Sequence, residues 1–407
     1  MKKIKVKNFI ALLMTVLLIV GCIPSMALAA ETPSAQAGNA ILQYVDAIND
    51  NDWDTIIRMS PEDEYQENIS FYNSEKNKEK NVGFHAITSA VLCSIDELNQ
   101  NDLYDYTNAE YYFDTYGDLK LYLVGVDLTV QKESKYFYNG VNFFLVLLGK
   151  EDGVWKIVLF SQAPASTIET NLITTFTTTK SSVDRVDVEK ALNIIRARYQ
   201  GIVLGGDGEV IDTNIATVEQ LAEEKNVDVS ELLTTTYATG DHARPSTISV
   251  YITSTGKIKD VDFYDYCKCV LPNEWYSTWK TESLKAGAQA VKFVGWYRVY
   301  NAKYPGKGYD VKDSTVDQVY KEGTEVASCT NAINAVGGIG MENSNNEIFY
   351  PSYRAGTSGT AGTKYGGILY QYGSQYLANQ GYTYDNILDY YYSYSTVSPG
   401  AITTFSY

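Results

Sequence analysis

The chain has 407 residues, of which 45% are hydrophobic and 20% charged, enough apolar material for two or three globular domains and too much for a disordered chain. Its formal charge is -16 even with Lys2, Lys3, Lys5 and Lys7 counted, so the chain beyond them is more acidic still and a poor partner for nucleic acid. A neutral or basic polymer suits such a surface better.

Those four lysines precede an apolar run over 9–20 that is too short and wrongly flanked for a stable membrane span, and small residues follow it. This pattern predicts a secretory signal, residues 1–29, and hence work outside the cytoplasm. Two exits compete. Ala27-Leu28-Ala29 offers a cut after Ala29, whereas Ile19-Val20-Gly21-Cys22 has the form of a bacterial lipoprotein box, with Cys22 as the lipidated residue. The product is then secreted, or lipid-anchored at the outer face of the cytoplasmic membrane.

Next, Ile41, Leu42, Val45, Ile48, Trp53, Ile56 and Ile57 predict an amphipathic helix broken near Asn49-Asp50-Asn51-Asp52, then a second one. Strands are predicted over 84–95, 119–131, 136–149 and 154–161 from their β-branched and aromatic content, with Glu151-Asp152-Gly153 turning the last hairpin. Helices followed by an antiparallel meander that closes on Gly153-Val154-Trp155-Lys156 resemble a nuclear transport factor 2-like cone over 32–165. His85 stands alone on a predicted strand and reads as a structural residue, not a base.

Residues 166–244 read as a Ser/Thr-rich linker, with Thr174, Thr175, Thr177, Thr178 and Thr179, and then a helical connector: one helix through Ala191, Leu192, Ile194 and Ile195, and two short ones about Asn226-Val227 up to Leu233. From Pro245 the texture changes to strands over 247–253 and from Ile258, and an extended run through Asp262-Phe263-Tyr264-Asp265-Tyr266 makes Cys267-Lys268-Cys269 part of a strand. A disulfide between Cys267 or Cys269 and Cys329 is possible in an exported chain, but spacing does not fix a pairing, and no metal site is expected from these cysteines. Tyrosine is abundant, 35 residues, and crowds the last third. Its rings suit sugar stacking or ordinary surface packing, and the count does not choose.

Glu274 lies between a turn and two tryptophans, Trp275 and Trp279, ahead of a helix predicted over 281–301. On that helix Leu284, Ala288, Val291, Gly295 and Val299 mark a buried face, and Lys285, Gln289, Lys292 and Trp296 share another stripe. Read alone, Glu274 is an exposed acid favoured by the helix N-terminus, and the two lysines are surface charges.

The residues then carry a resemblance. Val270-Leu271-Pro272-Asn273-Glu274, Trp279, Glu282-Ser283-Leu284-Lys285-Ala286 and Lys292, followed by Tyr309-Asp310-Val311, Gln318-Val319-Tyr320 and Gly366-Gly367-Ile368-Leu369-Tyr370-Gln371-Tyr372-Gly373, resemble the stage II sporulation protein D family over 245–407. The resemblance implies an α+β chain whose C-terminal domain of mixed β and α acts on peptidoglycan glycan strands, as a lytic transglycosylase or as a cell-wall amidase enhancer. It further implies Glu274 as the one acid/base, with Lys285, Lys292, Gln371 and Tyr372 along the substrate groove.

One carboxyl is chemically sufficient when the sugar's own 6-hydroxyl is the nucleophile, because no water needs activating. Departures from the family stand beside this. Lys292 replaces an arginine and loses its bidentate fork; Tyr365 stands where a histidine is common; and Lys312-Asp313-Ser314-Thr315-Val316-Asp317 lacks the family's Cys/His metal pair, so no cofactor is expected. These losses keep open a non-catalytic glycan-binding module or an amidase activator, with glycan strands as the expected partner and an amidase or another envelope protein as a second.

Overall fold

The computed structural model describes residues 33–173, 183–229 and 242–407. The expected leader with Cys22 and Ala29, the threonines from Thr174 to Thr179, and Leu233 lie outside the described residues. The chain is of the α+β class.

Helix α1 (Pro33–Asp50) stops where Asn51 takes a left-handed φ of 55°, and Asp52 then caps α2 (Trp53–Arg58) by accepting the Thr55 N–H at 3.1 Å. A further helix, α3 (Tyr65–Tyr72), leads to four strands, β1 (Ile87–Leu98), β2 (Leu119–Val130), β3 (Gly140–Glu151) and β4 (Val154–Gln162), paired as an antiparallel meander in chain order. Asp152 and Gly153 both have positive φ, the geometry of a two-residue hairpin turn. Residues 83–86 form a 3-10 turn where a strand was expected from 84, and the turn buries His85 against Trp53, ring centroids 4.5 Å apart. Burial first, and Lys78 second, push that imidazole down to about 4, so it is a neutral packed ring.

The central strands are apolar on both faces because both are covered. The cross-strand pairs Tyr122/Val146 and Val124/Phe144 face Ile41, Val45 and Ile48 of α1, whereas Leu121/Leu147 and Leu123/Leu145 face Val188, Leu192 and Ile195 of α4 (Arg185–Tyr199). Asp184 and Asp187 start α4 with a reciprocal capping box. The helix expected as part of a connector thus lies on the N-terminal sheet. A hairpin, β5 (Ile202–Leu204) and β6 (Val210–Thr213), and α5 (Val218–Lys225) follow.

In the C-terminal half, β7 (Thr247–Ile252) and β8 (Lys257–Asp262) form a hairpin. The strand expected beyond Asp262 does not form: Asp262 accepts the N–H groups of Tyr264 and Asp265 and caps α6 (Phe263–Glu274), which takes Cys267 and Cys269 into a helix. Cys267, Cys269 and Cys329 are free thiols. Next comes α7 (Thr281–Tyr300), matching the predicted helix to one residue. It is buried on nearly every side, with Ala286, Ala288, Ala290, Val291, Phe293 and Trp296 all fully enclosed. Around it pack α6, α8 (Ala327–Ala335), α9 (Gln371–Asn379) and α10 (Tyr384–Tyr392). The short strand β9 (Val311–Lys312) pairs in parallel with β7; β10 (Ile339–Glu342) pairs with β13 (Thr403–Ser406), and β11 (Tyr353–Arg354) with β12 (Leu369–Tyr370).

Polar pins join the halves. Asp310, with a fully buried side chain, takes Lys135 Nζ at 2.6 Å, the Tyr136 hydroxyl at 3.2 Å and the Ser249 N–H at 2.9 Å, so it is a joint between the halves. Arg198 donates to Gln162 Oε1 at 2.6 Å and to the Tyr300 carbonyl at 2.9 Å. Lys307 and Lys312 sit between Glu64 and Glu67 at 2.8–3.2 Å. A Cβ on Gly306 would stand 2.5 Å from the Phe84 ring, so glycine there permits backbone contact across the seam.

Candidate functional site

Glu274 is the last residue of α6, not an entry residue of α7, so it stands at the negative end of a helix. Pro272 sits two residues before it, and the chain leaves the helix at Trp275 in an extended conformation. Trp275 turns inward and is buried, its indole N–H donating to Ser374 Oγ at 3.2 Å. This packing requires Gly287 of α7: a Cβ there would lie 2.6 Å from the indole. With Trp275 locked beneath α7, the neighbouring Glu274 side chain is fixed at the half-buried edge between α6, the loop at Val319, and α9.

Two donors hold its carboxyl. The Val319 N–H donates to Oε1 at 2.8 Å and Gln371 Nε2 donates to Oε2 at 3.3 Å, with the Tyr353 hydroxyl near enough to favour the ionised carboxylate. Behind them, Gln318 donates to the Tyr353 oxygen at 3.1 Å and accepts from the Tyr266 hydroxyl at 3.0 Å. Burial raises the Glu274 pKa above the usual carboxylate value; the donors from Val319, Gln371 and Tyr353 oppose that rise without cancelling it. Among the described residues no second carboxylate bonds to it.

Beside this carboxyl the surface is aromatic. Tyr276, 60% exposed, Trp279 and Tyr372 form a triangle with ring centroids 5.2–6.2 Å apart, and the Tyr276 and Tyr372 hydroxyls are 3.5 Å from each other. Rings in such a cluster present flat apolar faces ringed by hydroxyls, suited to the C–H faces and hydroxyls of pyranose sugars.

Of the residues singled out in the sequence, the structure brings Glu274, Gln371 and Tyr372 together. Lys285 pairs with Glu282 at 2.8 Å and lies over the Tyr384 ring, making no bond to Glu274. Lys292 is not a groove residue. It is 1% exposed and donates to the carbonyls of Val336 and Ile339 at 2.9 Å and to the Tyr407 hydroxyl at 3.1 Å, with Glu224 at 4.0 Å. Burial pushes its ammonium down to about 8, against the opposing pull of Glu224 and Cys267. The stripe that joins it to Lys285 is real, but α8 and β10 cover its far part. Gln289, on the same stripe, is likewise buried.

The sequence reading missed Tyr353, which carries no motif in Pro351-Ser352-Tyr353-Arg354, and it had Gln318 and Val319 only as part of a resemblance. A metal does not fit the 312–317 segment: Asp317 is spent on Lys303 at 2.7 Å and on the Lys312 N–H at 2.8 Å. Among the described residues no cluster of three or more His, Cys, Asp or Glu side chains is placed to hold an ion.

No curated protein matches the chain. The nuclear transport factor 2-like likeness of the N-terminal half has no family match beside it. The C-terminal half does: residues 251–342, which hold α6, α7 and Glu274 and stop before Gln371, match the SpoIID family, stage II sporulation protein, a likeness that supports a sporulation-related, cell-wall-associated role.

Proposed function

We propose that this chain acts outside the cytoplasm on peptidoglycan glycan strands, as a lytic transglycosylase with Glu274 as its single acid/base. The observation that carries the reading is one half-buried carboxyl with a raised pKa, bonded only to neutral donors and edged by three aromatic rings. Such a group starts protonated over a wider pH range than a free carboxylate, as a general acid must.

In the proposed reaction, Glu274 gives its proton to the oxygen linking two sugars and the C1–O bond breaks. The 6-hydroxyl of the sugar that keeps C1 attacks that carbon, and its proton returns to the Glu274 carboxylate. The products are a free 4-hydroxyl on one strand and a 1,6-anhydro ring on the other; the acid is restored and no water is consumed. Tyr276, Trp279 and Tyr372 hold the sugar faces, and Gln371 and the Val319 N–H orient the carboxyl.

One observation favours a second reading, a glycan-binding module or amidase enhancer: both Glu274 oxygens already take donors from the protein, as a latch between segments would. The test is purified protein on isolated glycan strands, scored for anhydro-muramyl ends. Wild type releases them and Glu274→Gln does not. Two equally inert proteins that both stimulate an amidase would replace the first reading with the second.

A further inference from the structure

A second cavity, with none of the Glu274 site residues on its wall, lies at the seam between the halves. It encloses about 660 Å³ and is walled by the 3-10 turn Gln100–Asp105, by residues around Glu169, by α4 and α7, and by the loop holding Glu347. Four carboxyl groups line it, from Asp102, Asp105, Glu169 and Glu347, and of the cations on its wall only Arg196 pairs with one of them, Glu169. Tyr106, Tyr199, Tyr297 and Tyr300 supply aromatic walls.

Two polar atoms on this wall have no partner among the described residues. One is Asp105 Oδ1. The other is His242 Nδ1: the side chain is 8% exposed, and its Nε2 lies 2.9 Å from the Asn346 carbonyl and 3.7 Å from Glu342 Oε2. Buried acceptors without donors cost the fold free energy, and excess carboxylates in one enclosed space repel each other. Burial raises Asp105 to about 7, with Asp102 adding to it, and burial likewise raises Glu347, with Glu169 adding to it. A ligand that satisfies the Asp105 oxygen and offsets the crowded carboxylates donates hydrogen bonds and carries positive charge.

We propose that this cavity binds a primary ammonium group on a short apolar stem, with Asp102, Asp105 and Glu347 supplying charge and the tyrosines enclosing the stem. The proposal is independent of the reading of Glu274. A free alkylamine and a lysine side chain of a peptide present the same head group, and the site takes whichever fits its mouth.

The test is calorimetric titration of the full chain with n-butylammonium, with the end-capped peptide Ala-Lys-Ala and with n-butanol, at constant ionic strength. Binding of either cation and none of butanol is expected, and the tighter cation identifies the source. The isosteric pair Asp105→Asn and Glu347→Gln weakens binding about tenfold, while the unliganded variant unfolds at or above the wild-type temperature, because buried repulsion is removed. A merely structural role predicts a lower unfolding temperature. Should the double variant fail to fold, Asp102→Asn carries the test, with binding about threefold weaker. Equal binding of butanol and butylammonium, no binding of either cation, or unchanged binding in the variants overturns the assignment.

Discussion

The Gln371 side-chain amide grips Glu274 twice, donating to its backbone carbonyl at 2.8 Å and to Oε2 at 3.3 Å. One side chain from α9 thereby fixes both the end of α6 and the direction of its carboxyl. Gln371→Leu removes both bonds while keeping the bulk. Transglycosylase turnover is expected to drop at least roughly tenfold through misplacement of the acid, with glycan affinity nearly unchanged. Steady-state kinetics on soluble glycan separates the two.

The raised pKa of Glu274 sets a pH dependence. As a general acid it works protonated, so kcat/KM falls as pH rises through that pKa. Gln371→Glu places a second carboxyl 3.3 Å away and raises it further. The basic limb of the pH profile then moves upward, an outcome that a purely structural Gln371 would not produce.

Gly287→Ala drives a methyl group against the Trp275 indole, 2.6 Å from its nearest atom. A destabilisation of about 1–3 kcal/mol is expected, as for overpacking elsewhere, accompanied by loss of activity as Trp275 and Glu274 shift together. Adding Trp275→Phe restores stability in part. Thermal unfolding and activity measured on all three proteins check it.

The charge cluster at the seam makes an acid-labile joint. Burial works against Glu64, yet Lys307 and Lys312 override it and bring its carboxyl down to about 2, with Glu67 lowered by the same lysines. Carboxyls depressed in the folded state stabilise above their ordinary pKa near 4.5 and lose that contribution as pH falls toward 2. Glu64→Gln should reduce stability at pH 7 by on the order of 2 kcal/mol and flatten the acid limb of the curve, measured by urea unfolding between pH 7 and 3.

Lys292→Met distinguishes a core residue from a groove residue. Two buried carbonyls lose their donor and Glu224 loses a cation, so stability falls by roughly 2–4 kcal/mol. Glycan affinity of the folded fraction stays at the wild-type value; a selective loss of affinity would return Lys292 to the groove.

Where period or turn chemistry was decisive, the sequence was legible. Alternating and β-branched runs marked the four strands, Asn49 to Asp52 marked the helix break, and the spacing of Leu284, Ala288 and Val291 marked α7. The extended reading of Asp262 to Cys269 failed because β-formers such as Phe263, Tyr264 and Tyr266 hid the N-cap at Asp262. Helical spacing put Lys285 and Lys292 on one stripe, but only the packing of α8 and β10 buries one and not the other. Tyr353 reaches Glu274 from a separate segment, and no local pattern announces it. Glu274 itself was found by motif, but its helix was assigned to the wrong side.

The pins across the seam also decide what a minimal expressible fragment is. A cut at 244/245, where the sequence suggests a boundary, would leave Asp310 buried without Lys135, Lys307 and Lys312 without their glutamates, and Lys292 without Glu224. The C-terminal half carries the family likeness, yet it is not a self-sufficient solute. Truncations meant to isolate its chemistry should therefore aggregate, and an inert fragment would report on its missing neighbour before it reported on Glu274.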